Sequence, residues 1–507
     1  MSGSIFLSRI LGALREAALS RLAGAGSEVD AYRAAFVIPD VLNYMLAGGA
    51  LSIALLPMYS RVRSREGEEA AETLLATVLG CMTCIVVVAT ALLMWQADTL
   101  VAYGWKAFDP ETQALTTRLT RIVLPGQIFF VVGGILQAVL FSHDRFRAAA
   151  LAPLVYSVCV IAGGVGLAPW LGVEGFAWGT VVGAFLGPFL LRLVDVVGSV
   201  KIRFRVNFRD RRFREYILIA APLMLGASLL TVDEWIIAFI APMLGEGSLA
   251  HLAYGRKLML VPVGMVGQAI SVAALPTLAR FWNENRTDEM NALVLRCLQA
   301  GVGVAMFFAM VLYGFAQPIV TLFYQGGLFK ASDSASVIPV LQILSCAIPA
   351  WVLQTIAVRA FYAREEMWRP MLLGVVFVMA SIPLYLLLGE RHGIEGLAMA
   401  GVIGMNANAL ATLIYARLRH GAPSLIQLVS TSARSFVIAA IAMAAGLLVV
   451  EGFSSSLENL TWVWRELLTL LLGGGAFAIV AIGVSARFGD PALKELVQRG
   501  VRKVSGR

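Results

Sequence analysis

Arg9, Arg15, Glu16 and Arg21 fall between Ser4 and Gly24, in a stretch that is otherwise almost wholly apolar or small. Arginines in such a place can do one kind of chemistry: they present charged hydrogen-bond donors where bulk water is scarce. Facing lipid, each ionised side chain would cost about 2.5–3.5 kcal/mol at mid-bilayer, and four in one helix about 10 kcal/mol. Lipid is therefore the wrong neighbour. At about 100° per residue, Arg9, Glu16 and Ser20 share one helix face, while Arg15 lies about 120° away beside Ser8. That broad charged sector suits a helix bordering a water-filled cavity; the alternative is an amphipathic helix lying on the membrane surface. A second helix is expected over Asp30 to Tyr59.

The other groups capable of chemistry do not assemble. His143, His251, His392 and His420 stand singly, with no HExxH spacing and no Ser/His/Asp grouping, so no catalytic constellation is expected. Cys81, Cys84, Cys159, Cys297 and Cys346 lie inside apolar runs, and a lone Cys81-Met-Thr-Cys84 without partners reads as small apolar side chains in helix contacts. No metal site or cofactor is expected. Of 507 residues, 59% are hydrophobic and 14% charged; with a mean hydropathy of +0.79 the chain is a polytopic membrane protein. Its net charge of +8 resides in short loops rather than in a nucleic-acid-binding patch. No cleavable signal is expected, because the first span is too charged.

The elements that must position the charges are membrane helices. Runs able to cross the hydrocarbon core lie at about 4–24, 30–59, 73–96, 117–142, 148–170 and 174–198, then 214–243, 249–280, 292–316, 336–362, 369–389 and 394–417, and finally 434–451 and 464–485. That makes an all-α protein of fourteen spans. The loops after even spans are basic: Arg61, Arg63 and Arg65; Arg145 and Arg147; Lys201 to Arg214; Arg280 and Arg286; Arg364 and Arg369; Arg417 and Arg419; then Lys494, Arg499, Arg502 and Lys503 in the tail. Odd loops are poor in Lys and Arg, which places both termini in the cytoplasm. The same alternation argues against the surface-helix reading of the first segment. Trp95, Trp170, Trp368, Trp462 and Trp464 mark span ends, and Pro39, Pro57, Pro125, Pro222 and Pro262 are expected to kink or hinge their spans.

The chain also repeats itself. Leu51-Ser-Ile-Ala-Leu-Leu-Pro57 recurs as Ile270-Ser-Val-Ala-Ala-Leu-Pro276, Ala31-Tyr32 as Ala253-Tyr254, Gly172-Val-Glu-Gly-Phe-Ala177 as Gly393-Ile-Glu-Gly-Leu-Ala398, and Leu136-Gln137 as Leu353-Gln354. Six spans per copy is an even number, so the two lobes should share one orientation and be related by a pseudo-two-fold along the membrane normal. The expected division is an N-lobe over 1–200, a basic cytoplasmic linker over 201–213, a C-lobe over 214–425, and two further spans with a basic tail over 426–507. Spans 1, 2, 7 and 8 would line a central cavity. In spans 7 and 8, Asp233, Glu234, Arg256 and Lys257 are the counterparts of the charged opening stretch.

Ser8-Arg9-Ile-Leu-Gly12, Arg15-Glu16, Gly24-Ala-Gly26, Asp30-Ala31, Pro39, Gly49-Ala50 and Pro57 resemble the first two spans of the MurJ/MviN lipid II flippases of the MOP transporter superfamily. Leu322 to Phe329 with Asp333, and Phe361 to Pro370, resemble the loops flanking that family's span 10. The resemblance implies an inner-membrane flippase, not an enzyme, moving a polyprenyl-diphosphate-linked glycopeptide, lipid II, to the outer leaflet by alternating access. It implies a cationic cavity containing Arg9, Arg15 and Asp30 with Glu16 adjoining, and a groove at the two C-terminal spans for the polyprenyl tail. Membrane lipid and other cell-wall synthesis proteins are the implied partners. This chain departs from the pattern at Asn43-Tyr44, where an arginine is usual, and at Lys257 beside Arg256, where lysine keeps the charge without the planar fork. Some members are thought to bind sodium through spans 7 and 11; here Asp233, with Glu234 beside it, stands in span 7 and span 11 offers no acid or amide. The alternatives are a flippase for another polyprenyl-diphosphate oligosaccharide and a cation-coupled drug antiporter.

Overall fold

The computed structural model describes residues 2–46, 50–198, 200–229, 232–458, 460–491 and 494–495. Gly49 of the second-span signature and the tail cations Arg499, Arg502 and Lys503 lie outside them. Each of the fourteen expected stretches is mostly helical in its described residues, with turns inside several of them, as at Phe36, Leu124 and Cys346. Among the described residues nine helices are long and apolar enough to cross a membrane unaided, and Ala331–Ser345 with Ile348–Ala363, bent by 46°, would make a tenth. The first helix, α1 (Ser2–Ala23), carries too much charge, the second stretch is interrupted at Phe36, and the seventh is described as Arg211–Leu229 and Val232–Ile240 on either side of residues 230–231. Trp368–His420 covers two expected spans, divided at Gly393.

The second stretch differs from the single helix expected over Asp30 to Tyr59. It forms α2 (Ser27–Ala35), α3 (Val37–Leu46) and α4 (Ala50–Glu66). Pro39 has no amide hydrogen to give the carbonyl of Ala35, so the helix turns at Phe36. The buried hydroxyl of Thr120, which donates to Thr116 at 2.8 Å, lies 3.4 Å from that orphaned oxygen. Pro125 likewise separates Pro110–Val123 from Gly126–Ser142, and a π-helical turn over Val263–Gly267 follows Pro262.

The chain forms two compact units. The first comprises 1–250 together with 326–329, and the second 251–325 and 330–507. The basic segment 201–213 therefore lies inside the first unit, as does helix Arg211–Leu229, which packs on α3 and α4. In the first unit, helices Arg147–Leu171 and Glu174–Ala184 approach along glycines: a Cβ on Gly163 would sit 2.6 Å from Cα of Gly179. Such close approach substitutes for the hydrophobic effect, which lipid does not provide. In the second unit, Leu425–Gly452 packs along Trp462–Phe488 in the same way, with Gly446 against the carbonyl of Gly473.

The duplicated Gly-x-Glu-Gly motif has a structural counterpart. Gly172 ends its helix at φ 53°, ψ −133°, and Gly393 interrupts its helix at φ 58°, ψ −135°. Only glycine adopts this region readily.

Candidate functional site

Glu16 on α1 is the centre of the charged cluster. Its carboxylate takes Arg15 Nη2 at 3.3 Å on one oxygen and Arg33 Nη2, from α2, in a shorter contact on the other. The Glu16 side chain is only 7% exposed, that of Arg33 15% and that of Arg15 27%. A carboxylate this buried needs cations around it, since the desolvated charge is otherwise costly. Two guanidiniums thus lie against this one carboxylate. Arg9 is half-buried on the same helix and makes no hydrogen bond or ion pair among the described residues. Arg33 went unnoticed in the sequence, although an arginine three residues after Asp30 in an apolar stretch was a signal.

Asp30 does something different from the residues with which the resemblance groups it. It is 1% exposed, and its two oxygens accept the backbone N–H groups of Gly247 and Ala250, each at 2.7 Å. Asp30 thus caps the N-terminus of helix Ser248–Pro262, where unsatisfied amides and the helix dipole favour an anion. Glu246 returns the contact: its Oε1 accepts the backbone N–H of Ser27, the first residue of α2, at 3.2 Å. Each of the two helices receives a carboxylate from the other's side.

Two more contacts of the first unit involve loops that sequence charge assigns to the same side. The backbone N–H of Leu328 donates to the carbonyl of Arg21 at 2.9 Å, and Gly327, at φ 59°, lies so close to that carbonyl that no side chain would fit. Trp105, fully buried, donates from Nε1 to the carbonyl of Ala238 at 2.9 Å and packs on Phe239. On the same side, the Asp109 carboxyl caps helix Pro110–Val123. Hydrogen bonds from the Thr112 hydroxyl and the Thr112 and Glu111 amides hold its pKa below the usual carboxylate range.

Asp233 and Glu234 stand in the first turn of helix Val232–Ile240, the first half-buried and the second exposed. Where the family's second-span arginine is usual, Tyr44 instead packs edge-on against Trp235 at 6.2 Å. In the second unit, the Arg256 guanidinium lies 5.5 Å over the ring of Trp351, while Lys257 is exposed. The described residues contain no group of three or more His, Cys, Asp or Glu able to hold a metal ion.

A family model described as lipid II flippase MurJ matches residues 19–472. This chain belongs to the MurJ family. Lipid II flippase MurJ of Burkholderia cenocepacia is 27% identical over 431 residues, covering 83% of each chain. A probable lipid II flippase MurJ of Rhizobium meliloti is 25% identical over 517 residues, covering 99% of this chain and 95% of that one. A solved structure of lipid II flippase MurJ in an inward closed conformation superposes with a TM-score of 0.79 at 20% identity, over 96% of this chain and 98% of that one. The fold is thus that of a MurJ transporter.

Proposed function

We infer that this protein is a lipid II flippase: a multi-pass inner-membrane transporter, not an enzyme, that carries the polyprenyl-diphosphate-linked glycopeptide from the cytoplasmic to the outer leaflet. The observation that carries the reading is a family match running through almost the whole chain, joined to a cationic cluster buried in an apolar one. A diphosphate requires charged donors, and guanidinium supplies them in a fork that matches phosphate oxygens.

Within that function we assign Arg15 and Arg9 to the diphosphate. Arg15 holds Glu16 at a longer distance than Arg33 does and is more exposed than Arg33, so it can turn to a ligand while Arg33 stays on the carboxylate. Arg256 and Lys257 are proposed as substrate ligands of the second unit, and Asp233 and Glu234 as the acidic groups for cation coupling. Asp30, with Glu246, is proposed to hold the outer ends of α2 and Ser248–Pro262 together in one state of an alternating-access cycle. Both termini are proposed to be cytoplasmic, as basic even loops require. Reconstituted vesicles offered purified lipid II or another polyprenyl-diphosphate oligosaccharide test the reading: transport of lipid II is expected to exceed that of the other lipid, and equal or reversed preference would overturn it.

A further inference from the structure

Residues 201–208 read Lys-Ile-Arg-Phe-Arg-Val-Asn-Phe, a strict alternation of polar or basic with apolar residues. The segment has no regular secondary structure, yet it is fixed in place. The backbone N–H of Lys201 donates to Glu72 Oε1 at 3.0 Å, that of Arg205 to the carbonyl of Ala76 at 3.0 Å, and that of Asn207 to Cys81 Sγ at 3.3 Å. Gly80 permits this approach, since a Cβ there would sit 2.5 Å from the carbonyl oxygen of Arg205. Ile202 packs into the core, and Phe213 is buried just beyond the strap.

The strap leaves its apolar row outside. Phe204 is 65% exposed, Val206 58% and Phe208 46%. Lys201, Arg203, Arg205, Arg209 and Arg211 are exposed too, and none makes an ion pair among the described residues. Helix Glu68–Gly104, to which the strap is pinned, is 37 residues long. At 1.5 Å per residue that is about 55 Å, well over the roughly 30 Å of hydrocarbon, so its first turns, on which the strap begins at Glu72 and Ala76, reach the interface. A preference for basic loops in the cytoplasm accounts for the cations. It does not account for three exposed apolar side chains alternating with them, or for a backbone anchored along a helix.

We propose that the strap 201–211 is a binding surface for anionic phospholipid of the cytoplasmic leaflet, its cations on the headgroup phosphates and Phe204, Val206 and Phe208 in the acyl boundary. Charge complementarity selects this occupant: an anionic leaflet attracts juxtamembrane cations, each strengthening binding by about five-fold, and interfacial aromatic and aliphatic groups add apolar burial. The inference rests on the cytoplasmic placement of the linker, but not on the identity of the transported lipid.

The test uses the full-length protein in bilayers containing spin-labelled phosphatidylglycerol or phosphatidylcholine, with the lipid fraction immobilised by the protein as the readout. A cysteine at position 207 reports topology separately by labelling from inside or outside. The wild type is expected to prefer phosphatidylglycerol and to lose that preference as salt rises. Arg203→Gln with Arg205→Gln, Arg209→Gln and Arg211→Gln should reduce the preference at least ten-fold, the same four changes to Lys should retain it, and Phe204→Ser with Phe208→Ser should weaken retention of both lipids. An unchanged preference in the four-Gln variant with position 207 still inside overturns the proposal. If that variant inserts inverted, the wild-type salt dependence and the two-Ser variant decide, and no response in either overturns it. Position 207 labelled from outside in the wild type would overturn the topological reading and the proposal with it. Displacement of phosphatidylglycerol by an equimolar polyprenyl diphosphate would assign the strap to the transported lipid and overturn the proposal.

Discussion

Asp30→Ala removes the carboxylate to which Gly247 and Ala250 both donate at 2.7 Å. Hydrogen bonds to a charged group are worth about 1.5–3 kcal/mol each, which bounds the loss at about 3–6 kcal/mol. Water recovers part of it once the amides are exposed, and truncating a helix cap costs about 0.5–2 kcal/mol. Because Asp30 is only 1% exposed, a loss near 2–3 kcal/mol is expected, which is about a 30- to 150-fold change in an equilibrium. If the cap holds one transport state, that change should appear as separation of the two helix ends and not as unfolding. Ser248, 2% exposed beside the cap, provides the reporter. Ser248→Cys should react with a membrane-impermeant maleimide far faster in the Asp30→Ala background, with Asp30→Asn intermediate because it keeps an oxygen but loses the charge. A Ser248→Cys thiol that stays protected while the melting temperature falls would show that the carboxylate only stabilises the fold.

Three other outcomes follow from the geometry. Arg33→Ala should cost about 3 kcal/mol of stability by depriving buried Glu16 of its tighter partner, whereas Arg15→Ala should cost less than about 1 kcal/mol; melting temperatures in the reverse order would contradict the division of roles. His420, beside the Glu366 carboxylate at 3.1 Å and edge-on to Phe361, is held below the ordinary imidazole value by burial and by Arg364, with Glu366 opposing. A lowered folded-state value means its contribution is complete above about pH 6.5 and is lost as pH falls. Thermal stability should therefore decline on acidification, less so in His420→Gln, and a rise instead would mean that the Glu366 pairing governs. Gly172→Ala and Gly393→Ala should each cost about 1–3 kcal/mol, and by similar amounts. Neither glycine has an atom close enough to obstruct a Cβ, so both costs are purely conformational; a large cost at only one would argue against equivalent positions in the two copies.

The fold was legible because lipid imposes a simple grammar: apolar runs of fixed length, with arginines between alternate pairs. What sequence could not supply was the fate of backbone groups. The kink at Pro39 was foreseeable, but not that the freed Ala35 carbonyl would lie 3.4 Å from the Thr120 hydroxyl of a distant helix. Asp30 looked like a cavity charge because its partners, the amides of Gly247 and Ala250, carry no side-chain signature. Glu16 was visible as an odd charge in span 1, but its tighter partner Arg33 is seventeen residues along, on another helix, and only packing brings them together. The period-two pattern of 201–208 was equally present in the sequence, though its helix support at Glu72, Ala76 and Cys81 was not.

The central claim is that a buried arginine cluster recognises the diphosphate of lipid II. Its most direct test is lipid II affinity and translocation by purified, reconstituted Arg15→Ala and Arg9→Ala, with melting temperature recorded on the same samples. One charge-assisted contact of about 1.5–3 kcal/mol predicts affinity lowered roughly ten- to a hundred-fold, with the fold intact and partial recovery in Arg15→Lys. Wild-type affinity per folded molecule in both alanine variants, whatever their stability, would contradict it.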